Sequence, residues 1–540
     1  MFKELIFKLA KEKNITEQQL DNAKRIFLRA NKHIKAIPRK KDLLKVYHKL
    51  LDENKLKRNK MIEKILVKRA IRTLSGVTIV TVLTKPYPCP GQCIYCPSEE
   101  GMPKSYISDE PAAARALKLH FDPFRQVFQR IKTLRENGHE TDKIELIVKG
   151  GSFNAYPTNY QTWFIMRCFQ ACNCKLKNAP SKGNWSKPSQ KDSAWLVKEQ
   201  IKNEKALHRI IGLTLETRPD MINEKTVSIM RQLGCTRIEM GVQATDDNIL
   251  KKVKRGHNTE QIKKATAILK NNGLKVDYHM MPQLPGTTPA KDLKMLKEIF
   301  LDPAYRPDMI KIYPCTVIKD TELFKWLKSG RYHPYSNSKL TDILIQFKSF
   351  IPAYARISRL IRDIPSHHVR AGNKMTNLRQ VIQIKMKEQG LRCKCLRCRE
   401  IGHTELKNAQ KEIGELELFI EKYEASKGTE YFMSYENKER TAVMAFCRLR
   451  LSAHNSLYPA YIRELHTYGQ SVGIGQKQKK ASQHKGLGKK MIKSAEKICE
   501  KNRIDKLAVI SGVGVRNYYR RLNYRLINGY MIKKIIPKPR

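Results

Sequence analysis

Residues 76–96 read Gly-Val-Thr-Ile-Val-Thr-Val-Leu-Thr-Lys-Pro-Tyr-Pro-Cys-Pro-Gly-Gln-Cys-Ile-Tyr-Cys. The first nine form a β-branched apolar run, the pattern of a strand buried on both faces. Cys89, Cys93 and Cys96 follow with the spacing C-x3-C-x2-C on a loop that proline and glycine hold at the surface. Three thiolates on one loop can hold three irons of a [4Fe-4S] cluster and leave the fourth iron for a non-protein ligand. A closed zinc site wants four protein ligands, and no fourth cysteine or histidine lies near in sequence.

Outward from this strand, KIELIVKGG (143–151), IIGLTLETRPD (210–220), CTRIEMGVQ (235–243), LKVDYHMMPQLPG (274–286) and PDMIKIYP (307–314) read as five more. Amphipathic helical stretches such as 111–137 and 258–272 separate them. Strands alternating with helices predict a parallel (βα)6 barrel or open part-barrel, with functional groups at the strands' C-terminal ends. There lie Gly150-Gly151, whose backbone a ligand can approach closely, then Glu216 and Gln243. Glu216 equally suits an ion pair with Arg218. The lysine- and serine-rich stretch 173–205 reads as a surface insertion.

The 540-residue chain has 105 Lys and Arg against 51 Asp and Glu, a net charge of +54. So strong an excess points to a polyanionic partner, nucleic acid first. Residues 1–72 read as basic helices. In the first 70, 21 basic residues face 8 acidic ones. No apolar run approaches the roughly 18 residues of a membrane span, and the opening MFKELIFKLAKEKN is too charged for a signal peptide. Thirteen cysteines, an odd and clustered set, fit a reduced cytoplasmic chain with metal-bound thiolates.

The second half divides differently. The barrel is expected over 73–380, a cysteine-rich connector over 381–410 and a new α/β unit over 411–540, with strands at 430–436, 441–451 and 462–468. Cys393, Cys395 and Cys398 have the spacing of a structural zinc site lacking one ligand. Cys315, after the sixth barrel strand, is preferred as the fourth over the nearer His403. Gln483-His-Lys485-Gly486-Leu487-Gly488 opens a helix and suits a pyrophosphate cradle. The preceding strand, Glu464-Leu465-His466-Thr467, could splay from its neighbour and offer backbone groups to the rest of such a ligand. Tyr518 and Tyr519 follow, and core packing is the alternative reading for each.

The cysteine triplet on a βα series resembles the radical S-adenosylmethionine superfamily, and the glycine cradle resembles the GCN5-related (GNAT) acetyltransferases. Together they resemble the family of Elongator catalytic subunits in its single-chain archaeal form. The resemblance runs from about residue 73 onward, through DKIELIVKGGSF, GLTLETRPD, GCTRIEMGVQ, RPDMIKIYP, SGRYHPYS, RELHTYG, QHKGLG and VISGVGVRNYY. Pro97-Ser98-Glu99 departs from the family's Pro-Gly-Gly, and the first two cysteines stand closer together than in eukaryotic members.

The resemblance implies formation of 5-carboxymethyluridine at the wobble position of tRNA. A deoxyadenosyl radical from S-adenosylmethionine would activate the methyl of acetyl-CoA for addition to the base, and thioester hydrolysis would follow. It further implies that Gly150, Gly151, Glu216 and Gln243 bind S-adenosylmethionine and that Lys143 steers the thioester within the barrel. Gln483, Lys485, Gly486, Leu487, Gly488 and Lys489 would hold the pyrophosphate, and Tyr519 would sit by the thiol. A protein lysine acetyltransferase with the barrel as scaffold is the alternative. The sequence leaves open whether the chain self-associates or needs accessory subunits.

Overall fold

The computed structural model describes residues 2–12, 14–34, 36–67, 75–175, 188–189, 192–401, 416–452, 456–468 and 486–536. Helices α1 (Lys3–Lys11), α2 (Glu17–Ala30), α3 (Lys40–Asp52) and α4 (Lys60–Leu66) come first. Leu5, Leu9, Leu20, Phe27, Leu43, Tyr47, Leu50 and Leu66 meet in a core of their own, so this basic region is a packed unit. Thr16 and Gln19 close a reciprocal capping box at the start of α2.

Strands β1 (Thr78–Leu83), β2 (Lys143–Lys149), β3 (Arg209–Thr217), β4 (Arg237–Gln243), β5 (Lys275–Met280) and β6 (Met309–Ile312) pair in sequence order, all parallel. After β7 (Val317–Ile318), β8 (Arg356–Arg359) adds a seventh parallel strand beside β6. Arg-Ile-Ser-Arg carries no apolar run, which is why the sequence reading stopped at six. β1 and β8 stand at the two edges, so the barrel is open. β7 pairs separately with β9 (Val369–Ala371).

Two helical expectations change. The stretch 111–137 breaks into α5 (Pro111–Lys118) and α6 (Pro123–Glu136), because His120 and Phe121 take left-handed φ of 52° and 56° ahead of Pro123. The stretch 173–205 is not a plain surface insertion. α7 (Thr158–Asn173) runs up to it, and α8 (Asp192–Asn203) packs back through Asn203 Nδ2 to Asn173 Oδ1 (2.8 Å) and Asn173 Nδ2 to Glu199 Oε2 (2.7 Å).

A second seven-stranded sheet follows. It comprises β10 (Glu417–Ala425), β11 (Gly428–Glu436), β12 (Val443–Leu451), β13 (Ala460–Thr467), β14 (Lys506–Val509), β15 (Arg525–Ile527) and β16 (Tyr530–Lys534). The order is β10-β11-β12-β13-β14-β16-β15, and only β13 and β14 are parallel. β10 was not legible in the sequence because its exposed positions mix Leu418 and Ile420 with Glu417, Lys422 and Glu424, leaving no clean apolar alternation.

Charged residues join the two sheets in a dry seam. Asp308, just before β6, accepts from Arg463 Nη1 of β13 at 2.8 Å and from Val276 N at 2.9 Å. Arg463 also reaches Glu430 at 3.0 Å, and Glu430 further takes Arg450 (3.1 Å) and Lys270 (3.4 Å). Each of these side chains is buried, and such charges are tolerated only when mutually paired. At Gly512 any Cβ would collide with the Ile211 backbone of β3, so the loop after β14 lies directly on the barrel.

Candidate functional site

The loop between β1 and α5 carries the cysteine triplet. Ile94, between the second and third cysteines, anchors it through Ile94 N to Val253 O (3.2 Å) and Leu323 N to Ile94 O (2.9 Å). Cys93 is buried, and Cys89 and Cys96 are half-buried. Arg255 Nη1 lies 3.3 Å from Cys93 Sγ, and its Nη2 donates to Gly241 O at 2.6 Å. A hydrogen bond from Cys96, aided by the Arg255 charge, outweighs burial and pulls the Cys93 thiol down to about 4. A thiol so biased toward thiolate is a ready iron ligand.

Gly150 and Gly151 end β2 with φ of 131° and 93°. A Cβ on Gly150 would collide with Thr84, so no other residue preserves this turn. Glu216 ends β3 and accepts from Tyr106 Oη at 2.7 Å, with Lys149 Nζ at 4.0 Å. The ion pair with Arg218 left open by the sequence does not form, since Arg218 bonds Asp220 instead. Gln243 ends β4 with φ 74°, and its buried Oε1 has no hydrogen-bond partner among the described residues.

The barrel interior is charged where a closed barrel would be apolar. Glu239, fully buried, meets Lys149 Nζ at 3.1 Å, His279 Nε2 at 3.3 Å and Lys311 Nζ. Burial raises Glu239, but Lys149 and Lys311 overcome it and hold the carboxylate well below its ordinary range. Burial lowers His279 and keeps the imidazole neutral. Sequence reading passed over Lys149, Glu239, His279 and Lys311. Their signal was a charged residue at an inward position within an otherwise apolar strand.

These groups line one cavity of about 860 Å3 that continues past the N-terminal strand ends to the second sheet. Cys89, Cys93, Cys96, Gly151, Glu216 and Gln243 line it at one end, and Glu464, Leu465, His466 and Tyr519 at the other. Glu464 bridges the units, accepting from Arg448 Nε at 2.9 Å and pairing with Lys275 Nζ of β5 at 3.1 Å. β13 and β14 pair only over Ala460–Ile462 and Leu507–Val509. From Arg463 to Thr467, β13 therefore diverges from β14 while staying zipped to β12.

Next to that opening begins the helix Leu487–Lys501, capped by Gly486 with φ 73°. Lys489 is exposed in its first turn. A Cβ on Gly488 would stand 2.9 Å from Tyr518 Oη, so Tyr518 sits over the helix start. Tyr519 packs into the second sheet's core and also faces the cavity. Gln483 and Lys485 lie outside the described residues.

Two placements differ from expectation. Lys143 begins β2, so it stands about 20 Å along the strand from Lys149 and the cysteine loop. It is absent from the cavity wall. Instead it pairs in register with Arg209, whose strand end meets Gly514, so a thioester contact there would lie at the seam and not within the barrel. Cys315 does not join the second cysteine set. The sulfurs of Cys393, Cys395 and Cys398 lie within 4.8 Å of one another, without Cys315. Cys315 follows the C-terminal end of β6, whereas the triplet docks by Leu396 N to Ala355 O at the N-terminal end of β8. Lys348 Nζ, fully buried, is 3.7 Å from Cys398 Sγ. His403 lies outside the described residues.

Residues 87–299 match the model of the radical SAM superfamily, and 307–388 match that of the radical SAM C-terminal domain. The chain is 42% identical over 488 residues to a tRNA uridine(34) acetyltransferase of Methanocaldococcus jannaschii, spanning 88% of this chain and 87% of the relative. It is 36% identical over 486 residues to Elongator complex protein 3 of Homo sapiens, spanning 86% of each. The chain belongs to the Elongator protein 3 family. A solved structure of Methanocaldococcus infernus Elp3 with an N-terminal deletion matches 86% of this chain and all of that one, with 39% identity and a TM-score of 0.72.

Membership of the radical SAM superfamily implies a [4Fe-4S] cluster and S-adenosylmethionine, and the residues present fit both. Three thiols edge one cavity, the Gly150 turn is shaped as a cradle, and the Gln243 amide oxygen awaits a donor. No helix among the described residues is long and apolar enough to cross a membrane.

Proposed function

We propose that this protein modifies the wobble uridine of tRNA, drawing the added carbon from acetyl-CoA. The observation that carries the reading is the single cavity, walled by the cysteine loop at one end and by the diverging β13 at the other. Relatives named for tRNA uridine(34) acetylation support it.

Cys89, Cys93 and Cys96 would hold the cluster, with Gly150, Gly151 and Gln243 around S-adenosylmethionine. Bound there, the pair supplies radical chemistry at carbon. The residues of the chain do the rest. Tyr106 fixes Glu216 in one orientation at the cavity wall. The Lys149–Glu239–Lys311 network keeps the barrel polar, suiting a uracil ring splayed from its stack.

At the other end, the amides of the first turn after Gly486, with Lys489, would meet the coenzyme's pyrophosphate. Backbone groups of Glu464, Leu465, His466 and Thr467 would run beside its pantetheine arm, and Tyr518 and Tyr519 would flank the thiol. Lys143 would meet the thioester at the seam. Burial raises both tyrosines, Tyr518 to about 12, so each presents a protonated hydroxyl that can donate a hydrogen bond to sulfur. Cys393, Cys395 and Cys398 would hold zinc as a structural clamp beside the seam, and Lys348 offsets part of their thiolate charge. The basic helices of the first 67 residues would add phosphate contacts.

The test is anaerobic incubation of reconstituted protein with tRNA, S-adenosylmethionine, reductant and methyl-labelled acetyl-CoA, then mass spectrometry of the digested nucleosides. Labelled 5-carboxymethyluridine that disappears with Cys96→Ser is the expected result. Labelled protein with unlabelled tRNA would overturn the reading in favour of protein acetylation.

A further inference from the structure

One cluster of ligating side chains stands outside the chemistry above. Asp109 lies on the loop between the cysteine triplet and α5, and His367 and His368 lie in the short turn Ser366–His368 that follows Pro365. Nε2 of each histidine is 2.9 Å from the same oxygen, Oδ2 of Asp109. The two rings lie 4.3 Å apart at a tilt of 41°. Three donor atoms from segments about 260 positions apart thus converge within 4.8 Å.

The two segments are locked together beside this point. Arg362 Nη2 donates to Glu110 Oε1 at 2.7 Å, and Arg362 Nη1 donates to Ser105 Oγ at 2.9 Å. The same guanidinium covers the Tyr106 ring at 5.0 Å. Glu110 is buried and also accepts from Ile107 N at 3.1 Å, so the loop that presents Asp109 is held in place. The backbone segments that present the three donors are therefore held together before an ion arrives, which lowers the ordering cost of a surface site.

We propose that Asp109, His367 and His368 bind a divalent transition cation. Two imidazoles and one carboxylate select zinc, nickel or copper over magnesium or calcium, which prefer all-oxygen shells. Without an ion each Nε2–H donates to Asp109 Oδ2; on binding, each ring would carry its proton on Nδ1 and offer the Nε2 lone pair to the ion, and Asp109 would supply the single negative charge. Three protein ligands leave positions for water, and His367, 69% exposed, leaves the site open to solvent. Ser366 and Val369 line the rim of the shared cavity, so the ion sits at the mouth nearest the cysteine loop. It would staple the loop bearing Tyr106, whose hydroxyl donates to Glu216, to the segment after β8.

The test is zinc titration of the full chain, purified with its cysteine-bound metals in place and followed by calorimetry. The proposal expects one further equivalent in the wild type, lost in the His367→Ala/His368→Ala double variant. Asp109→Asn should weaken it by more than about a hundredfold, beyond the roughly ten- to hundredfold cost of losing an outer-shell partner. The three side chains are exposed or half-exposed, so these variants should keep their cluster absorbance and cysteine-bound metal, which verifies folding. A wild type that takes up no further equivalent would overturn the proposal, as would variants that bind zinc as the wild type does.

Discussion

Asp308→Asn tests the seam that holds the two sheets around one cavity. The substitution keeps the shape of the side chain but removes the charge facing Arg463 at 2.8 Å and Arg448 at 3.8 Å. At an effective dielectric of about 20, a unit pair 2.8 Å apart is worth about 6 kcal/mol. An asparagine oxygen recovers part of that as a neutral hydrogen bond, and Glu430 still faces Arg463 at 3.0 Å. The remaining loss is about 3–5 kcal/mol, the usual cost of breaking a buried pair. At roughly 2–4 °C per kcal/mol, the main calorimetric transition should fall by about 6–20 °C. Asp302→Asn is the control, because its pair with Lys263 at 3.0 Å is about one-third exposed and worth under about 1 kcal/mol. A melting profile for Asp308→Asn indistinguishable from that of Asp302→Asn would refute the claim that this seam is energetically tight.

Other outcomes follow from the same geometry. Burial raises Glu464, but Lys275 and Arg448 outweigh it and hold it at about 2, below its ordinary 4.5. Its folded carboxylate therefore contributes stability that is full above pH 4.5 and is lost as pH falls through about 2. Glu464→Gln should flatten this acid limb, worth about 3 kcal/mol, and an unchanged limb in acid titration of stability would contradict it. Affinity for tRNA should fall at least about a hundredfold between roughly 50 and 200 mM salt, and a flat filter-binding curve would remove the role given to the +54 charge.

The sequence made the architecture readable wherever a strand is buried on both faces. Runs such as KIELIVK and RIEMGVQ are apolar at most positions, with single charged residues between, and end in glycine or a polar turn, so both strand and site fall out together. β8 and β10 escaped because RISR and ELFIEKYEA owe their strand state to neighbours and not to their own composition. Glycine signals were reliable, since Gly150 and Gly486 take conformations or clearances that side chains resist. Partnerships across the fold were the weak point. Nothing in the spacing of Cys315 reveals that it ends up at the opposite end of the sheet from Cys393. The Glu239 network was hidden for the same reason, since its four members come from four different strands.

The central claim is that one continuous cavity serves both halves of the chemistry, and plugging it midway tests that directly. Gly212 lies on β3 between Glu145 and Thr236, and all three line the cavity wall. Gly212→Leu would project a side chain into the passage without touching the cysteine loop or the β13 opening. The measurement is transfer of label from methyl-labelled acetyl-CoA to tRNA, with S-adenosylmethionine cleavage and acetyl-CoA binding followed on the same sample. Cleavage and binding are expected near wild-type levels with label transfer reduced by at least about two orders of magnitude, the cost of misplacing reacting groups by an ångström or more. Undiminished transfer through a plugged barrel would contradict it.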